Sequence, residues 1–293
     1  MRTYTIGLLI SGDLGLICLK SIIQRNQILF VLTDAKSLAI IEYCIEKNIP
    51  FYKGNPRDGG AYSFIKNYKV DMIISINYLF IIGANIINFP QKCAINIHGS
   101  LLPKYRGRTP HVWAIINNET QSGISVHYIS ESCDSGDIIY QEKIDIDNKI
   151  TGWELLRIFS ERYPIIINKV INEFEKGEVI SFKQETELAT YFGKRTPNDG
   201  LIDWNWQKER IYNWIRAQAK PYPGAFTFHN GEKVIINKVV FSNLGFDEKD
   251  INGLVLMGGN NPIIKTPNGA LQILSMEVTN IISINKGDIL CKI

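Results

Sequence analysis

The sequence predicts an α/β fold, a doubly wound and mostly parallel sheet followed by a small C-terminal β-barrel. In the first half, apolar β-branched runs alternate with segments of helical period, which indicates parallel strands covered by helices. In the second half, short strand-like runs are separated by Gly and Asn, a pattern typical of small barrels. The length of 293 residues, 45% of them hydrophobic, is sufficient for a large and a small domain.

The first half reads as strands joined by helices and turns. Strands are predicted at residues 5–10, 28–32, 70–76, 93–97, 123–128 and 137–143, with helical stretches from residue 14 to 23 and from 37 to 47. Ligands of such sheets bind beyond the carboxyl ends of the strands. We therefore expect the loops 11–15, 77–80 and 98–109 to converge on one crevice.

A long amphipathic helix begins the second half of the chain. Thr151 and Glu154 have the spacing of a capping box, and the apolar period continues to about Gly177. A polar, turn-rich stretch follows, and we place the domains at 1–195 and 209–293 with a linker at 196–208. The barrel strands are predicted at 225–229, 233–240, 253–256, 263–265 and 271–276.

Composition excludes several classes of protein. The formal net charge is only +3, so the whole chain gives no field for a polyanionic partner. The sequence has neither a secretory signal pattern nor an apolar run of membrane-spanning length, which predicts a soluble, cytoplasmic protein. Its five cysteines are dispersed, which argues against a disulfide framework, and no spacing of Cys or His indicates a metal site.

Asn96 and His98 lie two positions apart at the end of a predicted strand, and therefore on one face of it. Together with Asp134, they provide the groups that acyl transfer to an amine requires: an oxyanion donor, a base and a carboxylate that stabilises the protonated base. Spacing alone, however, favours a histidine that satisfies backbone groups and an asparagine that caps a turn. Asp134 could equally be an ordinary turn residue.

Other polar residues near the strand ends also have two interpretations. The turn at Ser11 and Gly12 is similar to a phosphate-binding turn only loosely, because the Gly-x-Gly-x-x-Gly spacing is absent. The basic residues Lys104, Arg106 and Arg108 form either an anion site or a solvated loop. The remaining histidines are interpreted as structural or surface residues: His111, His127 and His229.

The motif Asn96-x-His98-Gly-Ser-Leu-Leu-Pro-x-Tyr-Arg-Gly, with Asp134-Ser-Gly 36 residues after the histidine, resembles the folate-dependent formyltransferases. The resemblance extends over the second half through 194–199, 203–204 and 220–227. It implies 10-formyltetrahydrofolate as the formyl donor, Asn96, His98 and Asp134 as the catalytic residues, a Rossmann-like catalytic domain and an OB-like barrel. It implies no metal.

Within this family, residues 106–110 and 220–227 resemble the members that act on nucleotide-linked aminosugars. The implied reaction formylates a deoxyaminosugar such as dTDP-4-amino-4,6-dideoxyglucose, for O-antigen or other surface-polysaccharide synthesis. The implied enzyme is a homodimer that has no nucleic-acid partner. The alternatives are a methionyl-tRNA formyltransferase and a non-catalytic binding module. The implied folate contacts are Asn77, Tyr78, Leu79, Phe80, Gly83, Ser132 and Cys133, although Asn77 is more polar than is usual there. The implied substrate contacts are Ser11, Gly12, Lys104, Arg106, Arg108, Arg195 and Tyr222.

Overall fold

The computed structural model describes residues 4–278 and 283–291. They form two compact units, and neither unit is continuous in sequence. The first contains the residues up to Gly107 together with Ser122–Ile144 and Arg157–Phe192, and the second contains Arg108–Gln121, Asp145–Leu156 and the residues from Gly193 onward. The domain boundaries that we place at 195 and 209 describe contiguous domains and stay a prediction.

A seven-stranded sheet forms the centre of the first unit. The strands of the first two-thirds of the chain are β1 (Thr5–Ile10), β2 (Gln27–Thr33), β3 (Phe51–Lys53), β4 (Met72–Ile76), β5 (Cys93–His98), β6 (Arg106–Gly107), β7 (Gln121–Tyr128), β8 (Ile138–Asp145) and β9 (Tyr191–Phe192). The sheet has the order β3-β2-β1-β4-β5-β7-β8. The pairs from β3 to β5 are parallel, and β7 joins β5 in antiparallel orientation. The predicted doubly wound, mostly parallel sheet is confirmed.

The helices lie where apolar residues recur at helical period. They are α1 (Gly12–Ile22), α2 (Leu38–Glu46), α3 (Gly60–Ile65), α4 (Ala84–Ile87), α5 (Pro110–Ile116), α6 (Gly152–Lys176) and α7 (Lys208–Ala217), with 3-10 turns at Pro56–Asp58, Thr186–Leu188 and Pro197–Gly200. The predicted capping box starts α6, since Glu154 N–H donates to Thr151 Oγ1 over 3.2 Å and Thr151 N–H donates to Glu154 Oε2 over 2.8 Å. In the part of the chain that the structure describes, no helix combines the length and the hydropathy needed to cross a membrane.

The second unit contains an antiparallel sheet of five strands, β10 (Ala225–His229), β11 (Glu232–Ser242), β12 (Val255–Met257), β13 (Ile263–Thr266) and β14 (Gly269–Val278). Its order is β10-β11-β14-β13-β12, so β10 and β12 are the edges. The C-terminal segment pairs with both edges: Cys291 forms a bridge with Phe228, and Ile289 forms one with Leu254. This pairing closes the sheet into the predicted small barrel.

The parallel order of β1, β4 and β5 determines where the polar loops lie. Because the carboxyl ends of adjacent parallel strands meet at one edge, the loops after these strands are neighbours. Two bonds show this directly: Ser11 N–H donates to Ile76 O over 3.4 Å, and Asn77 Nδ2 donates to Ser11 O over 3.0 Å. The expected convergence of the loops after β1 and β4 is therefore confirmed.

Candidate active site

The structure brings Asn96, His98 and Asp134 together. Asn96 and His98 lie on β5, and Asp134 lies in the loop between β7 and β8. Asn96 Nδ2 donates to Asp134 Oδ1 over 3.3 Å, and His98 Nδ1 lies 3.6 Å from Asp134 Oδ2. Only 8% of the His98 side chain and 13% of the Asp134 side chain are exposed. The site is a nearly buried cluster of an amide, an imidazole and a carboxylate.

The two ring nitrogens of His98 have different roles. Nε2 lies 2.8 Å from the carbonyl oxygen of Tyr105. A carbonyl oxygen can only accept a hydrogen bond, so Nε2 carries a proton. Nδ1 is consequently the basic nitrogen of the neutral ring, and it is the one beside Asp134. A proton taken up at Nδ1 would be stabilised by the Asp134 carboxylate.

A buried network fixes the loop that supplies the Tyr105 carbonyl. Ser125, which pairs with His98 across β5 and β7, donates to Ser100 O over 2.6 Å and accepts from Leu102 N–H over 3.1 Å. Gln141 Nε2 donates to Ser125 Oγ and to Leu102 O, both over 2.8 Å. Ser100 and Leu102 of the motif thus anchor the start of the loop that carries Tyr105.

His127 is a fourth member of the cluster that sequence reasoning missed. It lies directly opposite Asn96 in the antiparallel pair of β5 and β7, with His127 Nε2 at 3.1 Å from Asn96 Nδ2 and 3.5 Å from Asp134 Oδ1. Its Nδ1 lies 2.8 Å from Tyr128 O and therefore carries a proton, which leaves Nε2 of the neutral ring to accept from Asn96. No spacing in the sequence reveals this register, so His127 was interpreted as a structural or surface residue.

Asp134 is held in its ionised form. Burial alone would raise the pKa of the Asp134 carboxyl, but the positive charge that His98 and His127 carry when they are protonated, a hydrogen bond with protonated His127 and the bond from the Gly107 N–H outweigh burial and keep that pKa well below its usual range. Gly107 N–H donates to Asp134 Oδ2 over 2.9 Å. The Asp134 backbone has a φ of +50°, a left-handed conformation that an L residue adopts only where its surroundings enforce it.

The residues expected to contact folate lie in two loops. Asn77 bonds to Ser11 O, and Tyr78 and Phe80 form an edge-on ring pair with centroids 5.4 Å apart. Among the residues that the structure describes, the buried Tyr78 hydroxyl has no hydrogen-bond partner, and burial raises its pKa. Leu79 is 42% exposed. Gly83 precedes α4, and the backbone oxygen of Ser132, next to Cys133, accepts from Ser130 and Ser135.

A cavity of about 380 Å³ opens beside the first of these loops. It is lined by predicted substrate and folate residues, Ser11, Gly12, Asn77 and Leu79, and by residues that sequence reasoning did not single out, among them Asp34, Lys36 and Ser37. Gly12 N–H donates to Ser37 Oγ over 2.9 Å, and Ser37 donates to Asp34 Oδ2 over 2.5 Å. Burial raises the pKa of Asp34, but the bonds from Ser37 and from its other neighbours outweigh it and lower that pKa.

Arg106, a predicted substrate contact, is only 2% exposed. Its guanidinium donates three hydrogen bonds inside the first unit, two to Gln184 Oε1 and one to the Tyr191 hydroxyl. Its contact with substrate stays a prediction. Lys104 is exposed, and Arg108 is half-buried.

Two predicted substrate residues, Arg195 and Tyr222, lie in the second unit. The Arg195 guanidinium lies between the rings of Trp113 and Trp214, at 4.9 and 4.3 Å from their centroids, and bonds to Gln218 Oε1 over 3.0 Å. Tyr222 bonds through its hydroxyl to His111 Nε2 over 2.8 Å.

Within residues 4–278 and 283–291, no group of three or more His, Cys, Asp or Glu side chains could hold a metal ion.

Comparison with known proteins assigns this chain to a family. The model of the formyl transferase family matches residues 19–171, and that of the formyl transferase C-terminal domain matches residues 194–289. The chain belongs to the formyltransferase family. The resemblance stated from the motif is thereby confirmed, and the trio lies within the first matched region.

Two curated relatives align with most of this formyltransferase. The chain is 34% identical over 287 residues to the bifunctional polymyxin resistance protein ArnA of Wigglesworthia glossinidia brevipalpis. This alignment covers 95% of the chain but only 43% of ArnA. The chain therefore spans less than half the length of that relative. It is 32% identical over 243 residues to methionyl-tRNA formyltransferase of Fusobacterium nucleatum, covering 82% of this chain and 78% of the relative.

Among solved structures, this formyltransferase is similar to WlaRD, a sugar 3N-formyltransferase whose crystal structure was determined in the presence of dTDP and 5-N-formyl-THF. The TM-score is 0.69 at 23% identity, covering 96% of this chain and 100% of WlaRD. At this level of identity the similarity shows the shared fold.

Proposed function

We propose that this formyltransferase moves a formyl group from 10-formyltetrahydrofolate to the amine of a nucleotide-linked deoxyaminosugar. The observation that carries the proposal is the position of His98 Nδ1, a basic nitrogen 3.6 Å from an ionised Asp134, with the Asn96 amide bonded to the same carboxylate. These are the base, the stabilising carboxylate and the oxyanion donor of acyl transfer to an amine.

His98 acts as the base in the proposed reaction. Because its Nε2–H is bonded to Tyr105 O, Nδ1 accepts the proton that the amine releases when it attacks the formyl carbon. The resulting imidazolium has a partner at each nitrogen, Tyr105 O on one side and Asp134 on the other. Asp134, with its depressed pKa, supplies the negative charge that stabilises this cation and assists delivery of the proton to the departing nitrogen.

Asn96 donates to the oxygen that becomes negative as the amine attacks. Its Nδ2 is bonded to His127 Nε2 and Asp134 Oδ1 in the structure. The formyl oxygen would take the place of one of these acceptors, with the His127 bond keeping the amide in orientation. A donor fixed before the reaction stabilises developing charge without reorganisation, which is the usual origin of such catalysis.

The residues near the strand ends fit a folate donor. Folate supplies the activated formyl group. Leu79 and Ile81, 42% and 60% exposed, provide apolar surface that suits a flat ring, and the orphaned Tyr78 hydroxyl provides a polar group in the same loop. We propose residues 77–83 and 132–134 as the folate contacts, largely through backbone groups.

Three features support a nucleotide-linked aminosugar as the acceptor. Residues 106–110 and 220–227 resemble the family members that modify such sugars, and WlaRD is itself a sugar formyltransferase of the same fold. The cavity with Ser11 and Lys36 provides a hydroxyl and a cation for a charged group of the substrate. We further propose a cytoplasmic homodimer that serves surface-polysaccharide synthesis.

The direct test incubates the protein with 10-formyltetrahydrofolate and a panel of amino-sugar nucleotides that varies the base and the amine position. Mass spectrometry should detect a product heavier by one formyl group in place of one amine hydrogen. His98→Ala is the control, and it should form that product at a rate lower by about 10²- to 10⁴-fold. If the protein binds the folate but forms no product with any acceptor, a non-catalytic binding function is favoured.

Methionyl-tRNA is the alternative acceptor, favoured by the 32% identity to a methionyl-tRNA formyltransferase. Phosphate-dominated binding of tRNA requires a basic surface. From residue 196 to 293 the chain has 10 Lys and Arg against 9 Asp and Glu, a nearly neutral balance. Filter binding of initiator methionyl-tRNA at increasing salt distinguishes the two acceptors. Tight, strongly salt-dependent binding supports methionyl-tRNA as the acceptor, and the absence of such binding supports the nucleotide-linked aminosugar.

A further inference from the structure

Gln184 connects a buried arginine to the backbone of the Asp134 turn. Its Oε1 accepts from Arg106 Nε over 3.1 Å and from Arg106 Nη2 over 2.6 Å. Its Nε2 donates to Asp134 O over 2.9 Å and to Gly136 O over 2.7 Å. An amide side chain has two donors and two acceptor sites, and this one uses all four.

The arginine behind Gln184 is unusual. Arg106 is 2% exposed, and its remaining partner is Tyr191, through a hydroxyl bond and a ring contact at 5.3 Å. Within the described residues, no carboxylate forms an ion pair with it. A buried charge bonded to an amide oxygen polarises that amide and strengthens the bonds that its N–H groups donate. The charge of Arg106 therefore acts on the Asp134 turn through Gln184.

The same two-residue strand holds Asp134 from its other side. Gly107, next to Arg106 on β6, donates its N–H to Asp134 Oδ2 over 2.9 Å. Asp134 is thus fixed by its carboxylate and by its backbone oxygen at once, in a left-handed conformation with a φ of +50°. A conformation of this kind persists when several contacts determine it together.

We infer that Gln184 is a positioning residue for the formyl-transfer reaction, holding the Asp134 turn so that the carboxylate faces His98. The inference rests on the proposed function, since Asp134 acts there by stabilising protonated His98. It assigns Arg106 a task that differs from direct substrate contact: Arg106 polarises and orients Gln184.

The test is the variant Gln184→Glu. Glutamate keeps the acceptor for Arg106 and adds an opposite charge, but it has no donor for Asp134 O or Gly136 O. We expect kcat per folded molecule to fall by about 10- to 100-fold, the loss typical of a group displaced by about 1 Å, with KM values changed less than threefold. Glu185→Gln, the reverse change at the exposed next residue, is the matched control and should retain wild-type kinetics.

A second readout does not depend on turnover. In NMR spectra of the ligand-free protein, the resonances of Asp134 and of the His98 ring should shift in Gln184→Glu and stay unchanged in Glu185→Gln, because the Asp134 turn loses the two bonds that Gln184 donates. Asp134 is the charged group that faces Nδ1, while Nε2 faces the neutral Tyr105 carbonyl. If wild type transfers no formyl group to any acceptor, the proposed function fails, and this NMR comparison still decides whether Gln184 positions the Asp134 turn.

A double variant separates positioning from folding. Arg106→Met with Gln184→Met replaces the buried polar pair by apolar side chains of similar length, which commonly restores stability. We expect kcat to stay about 10- to 100-fold below wild type in the folded double variant. Recovery of kcat in the double variant, or Asp134 and His98 resonances unchanged in Gln184→Glu, would overturn the inference.

Discussion

Asn96 lies directly opposite His127 across the antiparallel strands β5 and β7, and the Asn96 amide nitrogen is 3.1 Å from His127 Nε2. Because His127 Nδ1 bonds to Tyr128 O, Nε2 of the neutral ring can only accept. The histidine therefore orients the NH₂ group of Asn96, the group proposed to stabilise the negative oxygen of acyl transfer. The amide is fixed before any substrate binds.

Replacing His127 should misorient Asn96 without removing it. The variant His127→Phe keeps a ring of similar size and removes the acceptor, so we expect kcat to fall by about 10- to 100-fold. Steady-state kinetics measures this. His229→Phe is the matched control, since His229 is also a buried histidine, bonded to Asp288 in the second unit. It should lower the thermal midpoint and leave kcat per folded molecule unchanged, and equal kcat losses in both variants would contradict the role of His127.

Asp134→Asn should lower the rate of the reaction. The depressed pKa of Asp134 keeps its carboxylate ionised near neutral pH, so its own titration does not shape the rate there. The asparagine keeps the size of the side chain but takes away the charge that stabilises protonated His98. We expect steady-state kinetics at neutral pH to show a kcat lower by about 10²-fold or more. An Asp134→Asn enzyme with the kcat of wild type would contradict this role of Asp134.

His111 should make the stability of the protein depend on pH. Burial lowers the pKa of His111 to about 4, below the ordinary value of 6.5. The unfolded chain then binds a proton more readily, so the free energy of unfolding falls as the pH decreases from 6.5 to 4, by up to about 1.4 kcal/mol per pH unit. Urea unfolding at several pH values measures this slope. His111→Gln should be less stable at pH 7 yet show a flatter slope, and equal slopes would contradict the prediction.

Gly136→Ala should disturb the Asp134 loop by steric contact. A Cβ at position 136 would collide with the backbone oxygen of Tyr128, which has no freedom to move away. We expect the free energy of unfolding to fall by about 1–3 kcal/mol. Gly245→Ala is the control, because a Cβ there meets no atom within 4 Å and the position lies outside the left-handed region. Equal stability of the two variants in urea unfolding would contradict the prediction.

The fold was largely predictable because hydrophobic periodicity reports burial. The first strand and the tenth were predicted with the bounds that the structure shows, Thr5–Ile10 and Ala225–His229. The three-residue strand β3 was missed, since Phe51–Lys53 is too short to show a period. The discontinuous units were not anticipated either, because local composition does not report which distant segments pack together.

The site was predictable only in part. Asn96 and His98 could be paired because alternation along one strand places them on the same face. Asp134 was joined to them by the groups that acyl transfer requires and by the resemblance, and the 3.3 and 3.6 Å distances show the three in one cluster. The role of His127 depends on the register between β5 and β7, and the role of Gln184 depends on a contact with Asp134, 50 positions away in sequence. Neither relationship produces a short pattern in a single sequence. The burial of Arg106 was not anticipated, because a basic loop residue is ordinarily solvated, and its contact with substrate stays a prediction.

The most direct test of the proposed function compares two acceptors in one enzyme preparation. With saturating 10-formyltetrahydrofolate, kcat/KM should be measured for a dTDP-linked 4-amino-4,6-dideoxysugar and for initiator methionyl-tRNA, in wild type and in His98→Ala. We predict formylation of the sugar nucleotide at a kcat/KM at least about 10²-fold above that of the tRNA, lost in His98→Ala by about 10²- to 10⁴-fold. A higher kcat/KM for the tRNA, or a His98→Ala enzyme as active as wild type, would contradict the account.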